Sequence, residues 1–222
     1  MTSARQIIRQ RRSLLGCDGV TSLPAARFYR MLERAMPAAG DAIPWEPAIH
    51  FALFVHRVQG IEPGLYALAR DRAKVEKLKA AMQPHFDWQA PPDCPQTLPL
   101  FLLERGDART VATQVSCRQD IAGEGAFSLG MVAEYRENLV RHGPSFYRRL
   151  YWEAGAIGQV LYLEAEAAGV RATGIGCYFD DPVHQVFGFR DLEFQSLYHF
   201  TVGGYVDDPR LTTLAPYPAA AH

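Results

Sequence analysis

Two short stretches of this chain, and three single residues, are of types suited to holding a ligand or moving a proton. Arg11-Arg12-Ser13 sets two guanidiniums and a hydroxyl in succession. The fixed forked donors of arginine suit a phosphate or an electron-rich ring edge, although the same residues would also make a charged surface turn. Gly174-Ile175-Gly176-Cys177 is nearly bare backbone at the end of a short apolar run. Such a segment can offer N–H groups to the edge of a flat aromatic cofactor with no side chain in the way. Gln159 puts an amide on or beside the apolar stripe of a long helix, where it is either satisfied by backbone or aimed at a ligand. Arg210, after the Asp207-Asp208 turn, is a second candidate cation, or a solvated charge. His142 has the side chain whose ordinary pKa suits a general base, with a solvated helix-end residue as the plain alternative.

Other chemistries find little support. Net charge is −1, without the basic excess of a nucleic-acid binder. Cys17, Cys94, Cys117 and Cys177 are far apart, with no C-x-x-C or zinc-finger spacing, and no H-E-x-x-H occurs, so no metal site is expected. The cysteine pattern reads as free thiols in a reducing, cytoplasmic compartment. Met1 begins a polar helix instead of a charged-then-apolar leader, and no apolar run approaches a membrane span of roughly 20 residues.

The elements that must position these residues follow from periodicity and punctuation. Ser3 is a plausible N-cap for a short first helix with Ile7 and Ile8 facing inward. A second helix is expected over about Leu23 to Met36, then an irregular proline-rich stretch from Pro37 to Pro47. Ile49 to His56, Leu65 to Leu68 and Leu98 to Glu104 read as strands, and Asp71 to Met82 as a surface helix. Asp120 to Arg141 reads as a helix weakened by Gly123, Gly125 and Gly130. Residues 147–169 form a long helix whose buried stripe is Leu150, Ala154, Ile157, Leu161, Ala165 and Ala168. Ala154-Gly155-Ala156 and Gly158 let another backbone approach, as in a core helix or a two-fold dimer seam. A strand over 171–177 follows, then a short helix launched at Asp181-Pro182 and stopped at Gly188, then a strand from Tyr198 to Gly203. The irregular alternation indicates one α+β domain over 1–222, and no G-x-G-x-x-G supports a dinucleotide-binding unit.

In order and spacing, these pieces resemble the nitroreductase-like FMN-dependent superfamily. Arg11-Arg12-Ser13, Glu153-Ala154-Gly155 with Gln159, the small-residue strand before Phe179-Asp180-Asp181, and Val202-Gly203-Gly204 carry the resemblance. Val58 to Tyr66 (VQGIEPGLY) and His142 to Arg148 (HGPSFYR) resemble most closely the SagB/ThcOx-type dehydrogenases, which oxidise azoline rings in peptide maturation. The resemblance runs from about residue 5 to 205. It implies a central mixed or antiparallel sheet flanked by helices, with a long central helix. It also implies FMN, held without a covalent link between the subunits of a tight homodimer. Arg11, Arg12 and Ser13 would then hold phosphate, ribityl chain and pyrimidine edge, and Arg210 would be a second phosphate arm. Gly174, Ile175, Gly176 and Cys177 would present backbone near flavin N5, with Gln159 a further contact.

The implied activity is ping-pong hydride transfer from NADH or NADPH, through the flavin, to an unidentified small-molecule or peptide acceptor. Four departures limit the transfer. Leu15 stands where the family often has Arg or Lys, and Gly176-Cys177 where many members have Glu-Gly. Pro37-Ala38-Ala39-Gly40 lacks the hydroxyl of a Pro-Ser-x-Gly motif, and Arg141-His142 replaces Lys-Tyr. Arginine cannot take a proton from an azoline carbon, so the flavin site transfers while the azoline chemistry does not. The alternative is a non-catalytic or partner-completed flavoprotein module of a peptide-modifying assembly, or one half of a longer tandem protein.

Overall fold

A computed structural model describes residues 2–38, 40 and 43–216; Met1 and Ala39 lie outside the described residues. Six strands build one antiparallel sheet: β2 (Ile49–Val55), β4 (Gly64–Leu68), β5 (Leu100–Arg105), β6 (Phe127–Glu134), β7 (Arg171–Ile175) and β8 (Phe194–Gly203). Their order is β5-β4-β2-β6-β8-β7, so β7 is an edge strand. A separate parallel pair joins β1 (Leu23–Pro24) to β3 (Val58–Gln59).

Helices cover both faces, which gives the α+β architecture expected from the sequence. On one face α2 (Ala25–Arg34) and α7 (Phe146–Ala167) pack Phe28, Leu32, Leu150 and Leu161 against Phe51, Leu53, Phe127 and Phe200. On the other, α3 (Val75–Ala81), α4 (Arg109–Val115), α5 (Ile121–Glu124) and α8 (Asp180–Phe187) bring Leu78, Ala112, Ala122 and Phe187 onto Phe54 and Val132. A strand covered on both faces reads as one apolar run, and all of β2 is buried.

That double coverage also explains the largest correction. Asp120 to Arg141 is not one helix but α5, β6 and α6 (Arg136–His142). β6 pairs with β2 on one side and β8 on the other, and every residue in it is buried. Burial on both faces removes the period-two alternation that would have marked a strand. Gly130 fits the strand because a Cβ there would lie 3.1 Å from the His199 ring.

Smaller differences follow the same logic. Ser3 caps α1 (Ala4–Gln10), its hydroxyl accepting from the Gln6 N–H at 3.2 Å. Ile8, expected inward, is 55% exposed, because this one-sided helix buries none of its residues. α8 begins at Asp180 with Phe179 as N-cap, and it ends as expected at Gly188, whose φ of 92° suits a residue without Cβ. β8 already starts at Phe194, ahead of Tyr198. Cys117 and Cys177 are not free thiols but a disulfide, 60 residues apart in sequence with Cα atoms 5.8 Å apart. The end of α4 and the exit of β7 meet only through folding, so no spacing rule could have paired them.

Candidate functional site

The N-terminal segment runs from α1 onto the free edge of the sheet. Gln10 donates to the Glu166 carboxylate at 2.8 Å, docking α1 on α7. Ser13 bridges Ala172 of β7, and the Leu14 N–H donates to the Ala172 carbonyl at 2.9 Å. The buried Leu14 anchors this crossing while Ser13 stays exposed.

One hydroxyl that no motif had flagged joins the pieces. Tyr162 of α7 lies 3.3 Å from Ser13 Oγ, donates to Thr173 Oγ1 at 3.4 Å and accepts from the Gly174 N–H at 3.1 Å. The Arg11 guanidinium sits 4.8 Å from the centre of its ring, within cation–π reach. Burial by itself would push this phenol's pKa up; hydrogen bonds to Ser13, Thr173 and Gly174, with Arg11's charge, outweigh burial and bring it down. The available signal was weak: Tyr162 falls one residue beyond Leu161, on the flank of the buried stripe. A Cβ at Gly174 would overlap the Tyr198 hydroxyl, so a side chain here requires Tyr198 to move.

Beyond Gly174 the backbone opens. Gly176 and Cys177 are exposed, and a Cβ at Gly176 would meet nothing within 4 Å. Among the described residues, no hydrogen bond takes the N–H of either one. The Ile175 side chain points into the core and is 2% exposed. Basic donors, a hydroxyl and uncommitted N–H groups thus follow one another along one sheet edge. That donor set fits a phosphate-bearing aromatic cofactor such as FMN.

Other candidates lie elsewhere. Arg12 donates to the carbonyls of Arg9 (3.0 Å), Arg11 (2.8 Å) and Leu214 (3.0 Å), so its guanidinium serves the end of α1 and the C-terminal segment. Arg210 is fully exposed and forks onto Asp208 at 2.7–3.2 Å; among the described residues no contact joins it to Arg11 or Ser13. Gln159 is exposed, off the buried stripe, and lines a cavity of about 720 Å³ between α7 and the 36–47 stretch, with Met36, Trp45, Ala156 and Val160. His142 is exposed and stacks on Phe146 at 4.6 Å, and among the described residues no carboxylate pairs with it.

The floor of that cavity holds polar residues that sequence reading passed over. Glu153 is fully buried, accepts from the Ala48 and Ile49 N–H groups at 3.1–3.3 Å, and pairs with Arg70. Arg70 Nε donates to the Ala35 carbonyl at 2.7 Å, so this pair ties α2, β2 and α7 together. Glu153 of the Glu-Ala-Gly motif, read in the sequence only as part of the family resemblance, is here half of a structural ion pair. Trp45 packs on Phe146 and Trp152, and Trp88 on Phe101.

The Nitroreductase family model matches residues 8–205. None of the curated proteins compared with the chain matches it. Among solved structures, a nitroreductase candidate from Anabaena variabilis superposes with a TM-score of 0.68 at 21% identity, over 89% of this chain. This chain spans only 37% of that one. A second nitroreductase candidate, from Ralstonia eutropha, gives 0.64 at 17% identity, covering 93% of this chain and 85% of its own. A chain of the Escherichia coli microcin synthetase McbBCD complex, with truncated pro-MccB17 bound, gives 0.64 at 15% identity, covering 93% and 74%. At these identities the superpositions speak for the fold.

Proposed function

The chain belongs to the nitroreductase family, an oxidoreductase family, and on that premise we propose that it is an FMN-dependent oxidoreductase using NADH or NADPH. The observation that carries this reading is the Tyr162 hydroxyl. It gathers Ser13 and Gly174 into one surface beside Arg11, and that surface ends in the uncommitted N–H groups of Gly176 and Cys177. FMN, when bound, supplies hydride acceptance and donation. The protein's part is to hold and orient the cofactor. Arg11 and Ser13 offer a charged donor and a hydroxyl to the phosphate and ribityl chain, and Gly176 and Cys177 offer amide hydrogens to the ring edge. Arg12, Arg210 and Gln159 belong to this proposal by resemblance, and reach the ligand only if Arg12 and Arg210 exchange their present partners. His142 is not needed as a base for hydride delivery.

The proposal includes a homodimer with FMN at the interface. Tyr147, Tyr151 and Trp152 are 40–55% exposed along α7, and Gly155 and Gln159 continue the same exposed side. A helix with that much exposed aromatic surface suits a subunit seam. The second reading, a partner-completed module of a peptide-modifying assembly, draws on the fold likeness to a chain of the microcin synthetase complex.

The absorbance spectrum of the purified chain separates the two. A flavin spectrum near one FMN per chain, bleached anaerobically by NADH or NADPH, is expected. Colourless protein that takes up no added FMN overturns the enzyme reading and favours the partner-completed one. Sedimentation tests the dimer.

A further inference from the structure

The Gly176–Cys177 pair has a second unusual property: it is tied to the end of α4 by a sulfur–sulfur bond, Cys117–Cys177. On either side of the pair the chain is anchored by other means. Ile175 is held in β7. The Phe179 N–H donates to the Val115 carbonyl at 2.7 Å, and the Tyr178 hydroxyl donates to the Ser196 carbonyl at 3.1 Å while its ring stacks on His199 at 4.3 Å. Between these anchors, the described contacts on the Gly176–Cys177 pair are the disulfide to Cys117 and one hydrogen bond from Gln119 Nε2 to the Cys177 carbonyl, at 3.0 Å.

The other end of the bond is also unusual. Cys117 and Arg118 have φ of 54° and 58°, two consecutive non-glycine residues in the left-handed region. Such residues persist where surrounding structure over-determines them. Around this turn the restraints are the Gln119 contacts to the Ser116 carbonyl, at 3.1 Å from N and 3.0 Å from Nε2, and the disulfide itself. Cys177 is exposed and Cys117 half-buried, so a reductant can reach the bond. The other cysteines behave differently: Cys17 is buried and its thiol is pushed up to about 12, chiefly by burial.

We propose that Cys117–Cys177 is a reversible redox site, reduced by dithiols, that locks the Gly176–Cys177 backbone when oxidised and frees it when reduced. In the exchange, one thiolate of the reductant attacks a sulfur of the pair and its second thiol resolves the mixed disulfide. One S–S bond breaks in the protein and one forms in the reductant; two electrons and two protons end on Cys117 and Cys177. The lock stands on the geometry alone. Its consequence rests on the flavin reading: with the two N–H groups no longer held in place, FMN affinity falls, because ordering them becomes part of binding.

The test uses the full chain purified without reductant. Alkylation in denaturant, followed by mass spectrometry, should label Cys17 and Cys94 alone, and all four cysteines after dithiothreitol. Backbone amide-nitrogen relaxation should give lower order parameters for Gly176 and Cys177 in the dithiol form, without FMN present. FMN fluorescence titration should then show roughly tenfold weaker binding in the dithiol form. Cys177→Ser should match that form and ignore reductant, and Cys94→Ser should keep the full response. Four free thiols that oxidised glutathione cannot pair would overturn the proposal, as would equal order parameters in the two forms. If neither form binds FMN, the flavin reading fails while thiol labelling and amide-nitrogen relaxation still decide the lock.

Discussion

The two ends of α7 handle polar groups in opposite ways. Near its start, Glu153 is sealed from solvent, and its carboxylate is taken up by two backbone N–H groups and Arg70. Near its end, Tyr162 is half-buried, and its hydroxyl is shared among Ser13, Thr173 and Gly174 at 3.1–3.4 Å, beside a guanidinium that remains half-exposed. The first set has no capacity left and serves the fold. The second is loosely satisfied and lies next to uncommitted N–H groups, which is what a ligand needs. On the proposed reading, burial of a charged residue is a poor guide to function in this molecule, and incomplete satisfaction at a sheet edge is the better one.

Substitutions can break this contrast. Glu153→Ala leaves the Arg70 charge buried without its carboxylate, and should cost about 3–5 kcal/mol in chemical denaturation, enough to threaten folding. If stability were unchanged, the pair would not be structural.

Acid probes the sealed groups further. Glu134, at the end of β6, lies 2.6 Å from Lys77 and 3.3 Å from His50. Burial would raise its carboxyl, but His50 and Lys77 prevail and hold it down to about 2, against an ordinary 4.5. The unfolded carboxylate therefore takes up a proton at higher pH than the folded one. Its contribution, up to about 3 kcal/mol, is present above pH 4.5 and is lost as pH falls toward 2. Glu134→Gln should flatten the stability profile in that window; an unchanged slope would remove Glu134 from the account.

At the open end the expected effects shift from stability to binding. Arg11→Ala should weaken FMN about 10-fold by fluorescence titration, from one lost charge-assisted contact, with unfolding moved by about 0.5 kcal/mol or less. Unchanged FMN affinity would place the phosphate elsewhere. Tyr162→Phe is the mildest: about 1 kcal/mol of stability and a several-fold loss of FMN affinity, since Ser13 and Gly174 lose a shared partner. A stability loss with no change in FMN affinity would make Tyr162 a fold residue like Glu153 and erase the contrast.

Much of the framework was legible in the sequence, and the reason is local. The stripe from Leu150 to Ala165, the Ser3 cap and the Gly188 stop are encoded within a few turns of helix, where periodicity and capping operate. Arg11-Arg12-Ser13 and the bare Gly174–Cys177 segment were visible as residue types, and their order along the chain carried the family. β6 was misread because a strand buried on both faces looks the same as a buried helix segment. Glu153 was passed over because a carboxylate within an apolar stripe gives no sign of the arginine that will meet it.

What the sequence determined by itself, then, is the inventory: an α+β chain with a long central helix, a basic N-terminal segment and a small-residue strand end. Tertiary structure decided which of these meet. It brought Tyr162 between Ser13 and Gly174, closed Arg70 onto Glu153, turned Arg12 toward backbone carbonyls, and joined Cys117 to Cys177 across 60 residues. The contacts of Tyr162 with Ser13, Arg70 with Glu153, Arg12 with Leu214 and Cys117 with Cys177 link positions far apart in sequence, and such partners are chosen by sheet order and packing, which no local window contains.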